Sequence, residues 1–134
     1  MGAKVLVVDD EQDFTDLLVH NLSSSDYEVM TAKDGLDALN KARRYLPDVV
    51  LLDVILPDID GFSICNILRS QPSTGDIPVI VLTALYGESI RASAIRSGAV
   101  SVLSKPVDMS QVRESVAYAL SLREKGPSAG AADE

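Results

Sequence analysis

The chain has 134 residues, of which 46% are hydrophobic, enough for one domain built around a buried core. Its 12 Lys and Arg residues against 20 Asp and Glu give a formal net charge of -8, which argues against a nucleic-acid-binding surface because contact with phosphates requires a basic patch. A single cysteine, Cys65, excludes an intrachain disulfide and a zinc site made of several thiolates.

The N-terminal residues and the apolar segments predict a cytoplasmic protein that does not enter a membrane. Met1 to Lys4 lead straight into an apolar run, without the charged region, apolar region and cleavage site of a signal peptide. The apolar stretches are all far shorter than the roughly 18 residues of a membrane-spanning helix. A reducing compartment also fits the single cysteine.

The chain alternates between short apolar runs and stretches with apolar residues at helical spacing. Runs rich in β-branched residues predict buried parallel strands, and the intervals between them are too long for hairpins. In chain order, strands are predicted at 5–8, 27–31, 48–53, 78–82 and 100–103. The predicted helices are 12–24, a second that follows Asp34-Gly35 and stops before Pro47, 61–70, 87–97 and 108–123.

Five strand-helix repeats joined by right-handed crossovers predict an α/β fold, a flavodoxin-like (βα)5 three-layer sandwich with helices on both faces of a parallel sheet. Spacing alone leaves the strand order open. The order 2-1-3-4-5 is the commonest for a chain of this length, and it places strands one and three side by side. We predict one domain over 1–124 and a disordered tail or linker over 125–134, which is rich in Gly, Ala, Ser and Pro.

Charged and hydroxyl residues stand where the predicted strands stop. They are Asp9 and Asp10, Asp53, Thr83 and Lys105. Because ligands of open α/β sheets bind at the carboxyl ends of the strands, we expect these side chains to converge. Three crowded carboxylates repel one another unless a cation is present, and oxygen ligands without His or Cys favour Mg²⁺. Mg²⁺ held by carboxylates commonly also binds a phosphate oxygen, which predicts a site for phosphoryl transfer.

Asp53 is the predicted nucleophile, forming an aspartyl phosphate. It follows four consecutive apolar residues, so its strand is expected at the centre of the sheet. Lys105 would supply a positive charge and Thr83 a hydroxyl donor for the remaining phosphate oxygens.

Four motifs in chain order resemble the receiver domain of bacterial two-component response regulators. They are Val7-Val8-Asp9-Asp10-Glu11, Leu52-Asp53-Val54-Ile55-Leu56-Pro57-Asp58-Ile59-Asp60-Gly61, Val81-Leu82-Thr83-Ala84 and Ser104-Lys105-Pro106. The resemblance covers residues 3–123. It implies phosphorylation by a phosphohistidine on a sensor histidine kinase or a histidine phosphotransfer protein, followed by contact with a downstream effector protein or a fused output domain.

The resemblance also implies a role for each matching position around the metal. Asp9 and Asp10 look like the acidic pair that binds Mg²⁺, and Asp53 looks like the phosphoacceptor that also contacts the ion. Ile55 resembles the residue whose backbone carbonyl completes the metal shell.

Around the phosphoryl group, Thr83 resembles the switch hydroxyl and Lys105 the lysine that pairs with the phosphate. Ala84 resembles the small residue that leaves room for it, and Pro106 looks like the cis-proline that follows the lysine.

Two positions depart from the pattern of such domains. Val102 stands where an aromatic ring usually turns inward, so we expect the signal to travel through the Thr83–Gly87 loop and the fourth helix, with Tyr86 reorienting. Ile55 and Leu85 occupy positions that tune the loss of phosphate. Since neither side chain orients an attacking water, we predict slow autodephosphorylation and no turnover of an external substrate.

The resemblance implies an output surface made by the fourth helix, fifth strand and fifth helix. Its basic residues are Arg91, Arg96, Arg113 and Arg123. The chain is either a stand-alone receiver or part of a longer regulator, and either a monomer or a phosphorylation-dependent homodimer. No nucleic-acid or membrane contact is expected.

Two other classes of protein share parts of this pattern. A haloacid-dehalogenase-type phosphohydrolase also uses an aspartyl nucleophile, but it needs a second carboxylate two residues later, where Ile55 stands. A flavodoxin-like nucleotide or flavin binder needs a phosphate loop rich in glycine or hydroxyls after strand one, where Asp9 and Asp10 would repel phosphate.

Residues outside the site receive simpler interpretations. His20 is expected at the surface, and Cys65 is expected to pack as a small hydrophobic residue. Asp58 and Asp60 are interpreted as solvated loop carboxylates, with Asp60 available to cap the third helix.

Overall fold

The computed structural model describes residues 2–125 and forms five strands and five helices in alternation. The strands are β1 (Lys4–Val8), β2 (Glu28–Ala32), β3 (Val49–Asp53), β4 (Val79–Thr83) and β5 (Ser101–Ser104). The helices are α1 (Gln12–Ser23), α2 (Gly35–Tyr45), α3 (Gly61–Ser70), α4 (Glu88–Ser97) and α5 (Met109–Lys125). The strands pair in parallel in the order β2-β1-β3-β4-β5, which confirms the predicted fold.

Element boundaries differ from the predictions by one or two residues, for local reasons. Strand β2 starts at Glu28 rather than Tyr27, because the Tyr27 N–H closes the turn after α1 by bonding the Leu22 carbonyl at 3.3 Å. Helix α5 starts after Asp108, whose carboxylate accepts the Ser110 N–H at 3.1 Å. The predicted tail begins at Lys125, the last residue of α5, and its residues 126–134 lie outside the described part of the chain, so that boundary stays a prediction.

Alternating residues of the strands build a core on each face of the sheet. Leu6 and Leu52 point to one face and pack with α2 and α3, and Val7 and Leu51 point to the other and pack with α1 and α5. The central strands are apolar on both sides because both faces are covered by helices. Cys65 is fully buried in the first of these cores, as predicted.

Strand register brings the ends of β1, β3, β4 and β5 to one edge of the sheet. Val8 is opposite Leu52, so Asp9 emerges beside Asp53. Asp53 is opposite Leu82, and Thr83 is opposite Ser104, so Thr83 and Lys105 follow at the same edge.

Among residues 2–125, no helix is both long enough and apolar enough to cross a membrane.

Candidate functional site

Three carboxylates meet at the carboxyl edge of the sheet. One oxygen from each of Asp9, Asp10 and Asp53 lies within 4.8 Å of the other two. Asp9 and Asp53 are only 4% and 5% exposed, whereas Asp10 is open to solvent. Such proximity of like charges in a partly buried place is unfavourable unless a cation neutralises them.

The Lys105 ammonium provides one such cation. It lies 2.8 Å from Asp9 Oδ2, 3.1 Å from Asp53 Oδ2 and 3.0 Å from Glu11 Oε1. Burial by itself lowers the pKa of Lys105, but its hydrogen bonds to Asp9 and Glu11 and the charge of Asp53 raise it well above its ordinary value. An ammonium group has three N–H donors, and all three are engaged. Binding a phosphate oxygen therefore requires Lys105 to release a carboxylate.

Asp53 combines burial with partial compensation of its charge. Burial raises the pKa of its carboxyl, while the Ile55 N–H at 3.2 Å from Oδ1 and the nearby Lys105 ammonium oppose that rise. The carboxylate borders an open cavity of about 230 Å³, large enough for a phosphate group. Other residues lining this cavity include Asp10, Ile55, Ala84 and Lys105.

The hydroxyl of Thr83 is the one predicted phosphate ligand that does not reach this cavity. Thr83 is fully buried, and its Oγ1 accepts the Leu85 N–H at 3.1 Å. Within residues 2–125, no acceptor is bound by the hydroxyl hydrogen, so it remains available as a donor. Ala84 follows Thr83 and borders the cavity in its place, with no side chain large enough to close it.

The remaining predicted positions are Ile55, Pro106 and Val102. The Ile55 side chain is 52% exposed, and no hydrogen bond from residues 2–125 occupies its carbonyl oxygen. The Lys105–Pro106 peptide bond is cis. Val102 lies in β5 opposite Val81, partly buried, with no aromatic ring at that position of the strand.

Three contributors to the site and its surroundings were not assigned by the sequence. Glu11 forms an ion pair with Lys105, and its position next to Asp9 and Asp10 in the sequence is the feature that could have indicated this contact. The Phe14 ring lies 4.4 Å below the Lys105 ammonium, an attractive cation-π contact. Asp58 is exposed, as predicted, but its carboxylate accepts backbone N–H groups from the start of α2, a contact that no spacing rule reveals.

Similarity to known proteins decides the family. Residues 5–117 match the family model described as the response regulator receiver domain. The chain belongs to this family. Receiver domains bind Mg²⁺ at an acidic pocket, and the cluster of Asp9, Asp10 and Asp53 has the oxygen ligands that such an ion prefers.

This receiver domain is similar to domains of known response regulators. It is 47% identical over 108 residues to the response regulator PleD of Caulobacter vibrioides, covering 81% of the chain and 24% of PleD. It is 40% identical over 116 residues to the alkaline phosphatase synthesis transcriptional regulatory protein PhoP of Bacillus subtilis, covering 87% of the chain and 48% of PhoP. The chain thus spans about a quarter to a half of these relatives.

A solved structure has the same fold. The chemotaxis protein CheY4 of Vibrio cholerae superimposes with a TM-score of 0.85 at 32% identity, covering 90% of this receiver domain and 100% of CheY4. Receiver domains are signalling modules of response regulators, and this chain is one of them.

Proposed function

We propose that Asp53 accepts a phosphoryl group from a phosphohistidine, in a Mg²⁺-dependent reaction in the cytoplasm. One observation carries the assignment. Among residues 2–125, Asp53 is the single carboxylate that ends a central strand, borders the cavity and contacts both Lys105 and the Ile55 N–H. The donor would be a sensor histidine kinase or a histidine phosphotransfer protein.

The transfer exchanges one bond to phosphorus for another. An Asp53 carboxylate oxygen attacks the phosphorus, a P–O bond forms, and the P–N bond to the donor histidine breaks. The imidazole leaves with the electron pair and takes up a proton. The ionised carboxylate is the nucleophile, so the Lys105 charge and the Ile55 N–H favour the reaction by opposing the rise in the Asp53 pKa that burial causes.

Asp9, Asp10, Asp53 and the Ile55 carbonyl would hold the Mg²⁺. All four ligand atoms are oxygens, the type that this ion prefers. When bound, the ion neutralises the carboxylates and the charge on the phosphoryl oxygens. With Asp9 and Asp53 engaged in this way, Lys105 is free to turn one N–H towards the phosphate.

The conformational response would start at Thr83. We propose that its hydroxyl leaves the Leu85 N–H and donates to a phosphoryl oxygen, which rearranges the loop 84–87 and then α4. The altered surface of α4, β5 and α5 would bind the downstream effector or a fused output domain. Arginine side chains on it, Arg91, Arg96, Arg113 and Arg123, could pair with acidic groups of the partner or of a second copy of the chain.

Intact mass spectrometry after incubation with Mg²⁺ and acetyl phosphate tests the assignment. We expect a gain of one phosphoryl group, about 80 Da, that requires Mg²⁺. The gain should vanish in Asp53→Asn and persist in Asp13→Asn, a matched change at an exposed carboxylate of α1. A phosphoryl group that persists in Asp53→Asn would show that another residue is the acceptor.

A further inference from the structure

The loop 54–60, between β3 and α3, is tied to the start of α2 by the Asp58 carboxylate. Asp58 Oδ1 accepts the Gly35 N–H at 2.7 Å, and Oδ2 accepts the Leu36 N–H at 3.0 Å. Oδ1 also accepts the Ile59 N–H at 2.7 Å, which fixes the carboxylate within its own loop. Both oxygens are therefore committed to backbone donors.

This contact supplies a helix cap from a distant part of the chain. The first turn of a helix has N–H groups without partners inside the helix. In α2, the side chain of the N-cap residue Asp34 accepts only the Asp37 N–H, at 2.8 Å. The two preceding N–H groups, of Gly35 and Leu36, are bound by Asp58 instead. The positive end of the helix dipole further favours an ionised carboxylate at this place.

Close packing of the loop on α2 depends on a glycine. A Cβ atom at Gly35 would lie 2.9 Å from Ile59 Cβ and 3.1 Å from Asp58 Oδ1, both too close for an ordinary contact. Any larger residue at position 35 would push the loop away from the helix. The Ile59 side chain packs against the core beneath, so the position of the loop is defined from two sides.

The same loop carries Ile55, whose carbonyl oxygen belongs to the proposed metal shell. At its β3 end the loop is held by the Ile55 N–H on Asp53 and by the Gly61 N–H on the Val54 carbonyl at 2.9 Å. Within 56–60, Asp60 bonds only the start of the following helix α3, and Asp58 supplies the hydrogen bonds that reach α2. Without them, the loop would lose its hydrogen bonds to α2.

We propose that Asp58 is a positioning residue for the metal site. By tying the loop to α2, it holds the Ile55 carbonyl where it contributes to Mg²⁺ binding, although Asp58 touches neither the ion nor the phosphoryl group. The inference rests on the proposed function for the identity of the ion. Mutation of groups that orient metal ligands commonly lowers metal affinity by about 10- to 100-fold. Because only one ligand of several is affected here, we expect loss of the Asp58 carboxylate to weaken Mg²⁺ binding about tenfold.

Mg²⁺ titrations of wild type and Asp58→Ala test this role. Binding is followed by the backbone amide NMR shifts of the acidic cluster, and phosphorylation by acetyl phosphate is measured over the same Mg²⁺ range. We expect the half-saturating Mg²⁺ concentration to rise about tenfold in Asp58→Ala, with the rate at saturating Mg²⁺ unchanged. Asp58→Asn, which keeps one carbonyl oxygen as an acceptor, should show a smaller rise.

Two further variants separate the explanations. Gly35→Ala disturbs the same contact from the α2 side and should also weaken Mg²⁺ binding. Asp76→Ala removes an exposed loop carboxylate on another part of the surface and should leave the titration unchanged.

An equal half-saturating Mg²⁺ concentration in wild type and Asp58→Ala would overturn the proposal. If Asp58→Ala then lowered only the unfolding temperature, Asp58 would act only as a cap of α2. A lower maximal rate with unchanged half-saturation would also overturn it. Failure of Asp53 phosphorylation would be visible in the wild type, whereas the role of Asp58 is decided by the difference in Mg²⁺ binding between the proteins.

Discussion

Replacing Lys105 with methionine should destabilise the metal-free protein strongly, because Lys105 neutralises buried carboxylates. Its ammonium lies 2.8 Å from Asp9 and 3.1 Å from Asp53, whose side chains are 2% and 7% exposed. At an effective dielectric constant of about 20, each such attraction is worth about 5 kcal/mol before the cost of desolvation. Measured losses on removing one partner of a buried ion pair are smaller, about 3 to 5 kcal/mol, and we expect Lys105→Met to fall in this range.

Two conditions should reduce this deficit in stability of Lys105→Met relative to wild type. Mg²⁺ supplies the positive charge that the variant lacks, so adding it should narrow the difference in stability between variant and wild type. Protonation of Asp53 removes a negative charge, and burial already raises the pKa of this carboxyl. Loss of the Lys105 charge raises that pKa further, so the deficit should be smaller near about pH 5 than near about pH 8.

Urea unfolding followed by circular dichroism measures the effect, in EDTA and in millimolar Mg²⁺. Lys33→Met is the matched control, since Lys33 is exposed, and it should change the free energy of unfolding by less than about 0.5 kcal/mol. A deficit below about 1 kcal/mol for Lys105→Met in EDTA would refute the reasoning, because it would mean that the acidic cluster is stable without its cation. A deficit of the same size in EDTA and in Mg²⁺ would also refute the reasoning.

Three further predictions concern the phosphorylated state and the loops. Replacing Ile55 with Asn and Leu85 with Glu should shorten the lifetime of the aspartyl phosphate several-fold, because polar side chains there would orient an attacking water; an unchanged decay of the phosphorylated mass would contradict this. Binding of beryllofluoride, a phosphate mimic, with Mg²⁺ should shift the amide resonances of residues 84–98, and unmoved signals there would exclude α4 as the responding element. Hydrogen bonds from Gly35 and Leu36 hold the pKa of the Asp58 carboxyl below its usual range, so its stabilising contribution is complete above about pH 4 and is lost as the pH falls through the lower folded-state value. Asp58→Asn should therefore lower the unfolding temperature at neutral pH and lose this difference in acid, and an equal deficit at both pH values would argue against the assignment.

The fold followed from the sequence because its signals are local and agree with one another. The runs around Val5, Val49 and Val79 are short and apolar on both faces, and this pattern is typical of strands covered by helices on both sides. Strand order is different, because nothing within a single strand encodes its neighbour. The commonest arrangement for five such repeats therefore supplies the predicted order, and the structure confirms it.

The site was predictable where its chemistry coincides with strand ends. Asp9, Asp53, Thr83 and Lys105 each end or follow a strand, and the edge of a parallel sheet brings such residues together. Contacts that depend on side-chain direction were not predictable. Phe14 packs against the core, and only the structure shows its ring beneath the Lys105 ammonium.

The direction of the proposed switch follows from the unequal packing of the elements next to Thr83. Helix α4 begins after Gly87, which has a φ of 111° and offers no side-chain cap, and only Ala94 and Ser97 of the helix are buried. The loop before it exposes Leu85 and Tyr86, the latter by 81%. Val102 has no aromatic ring that could swing when Thr83 moves. Its β-branched side chain is stiff, and its backbone is paired with β4. A rearrangement that starts at Thr83 therefore meets less resistance towards α4 than towards β5.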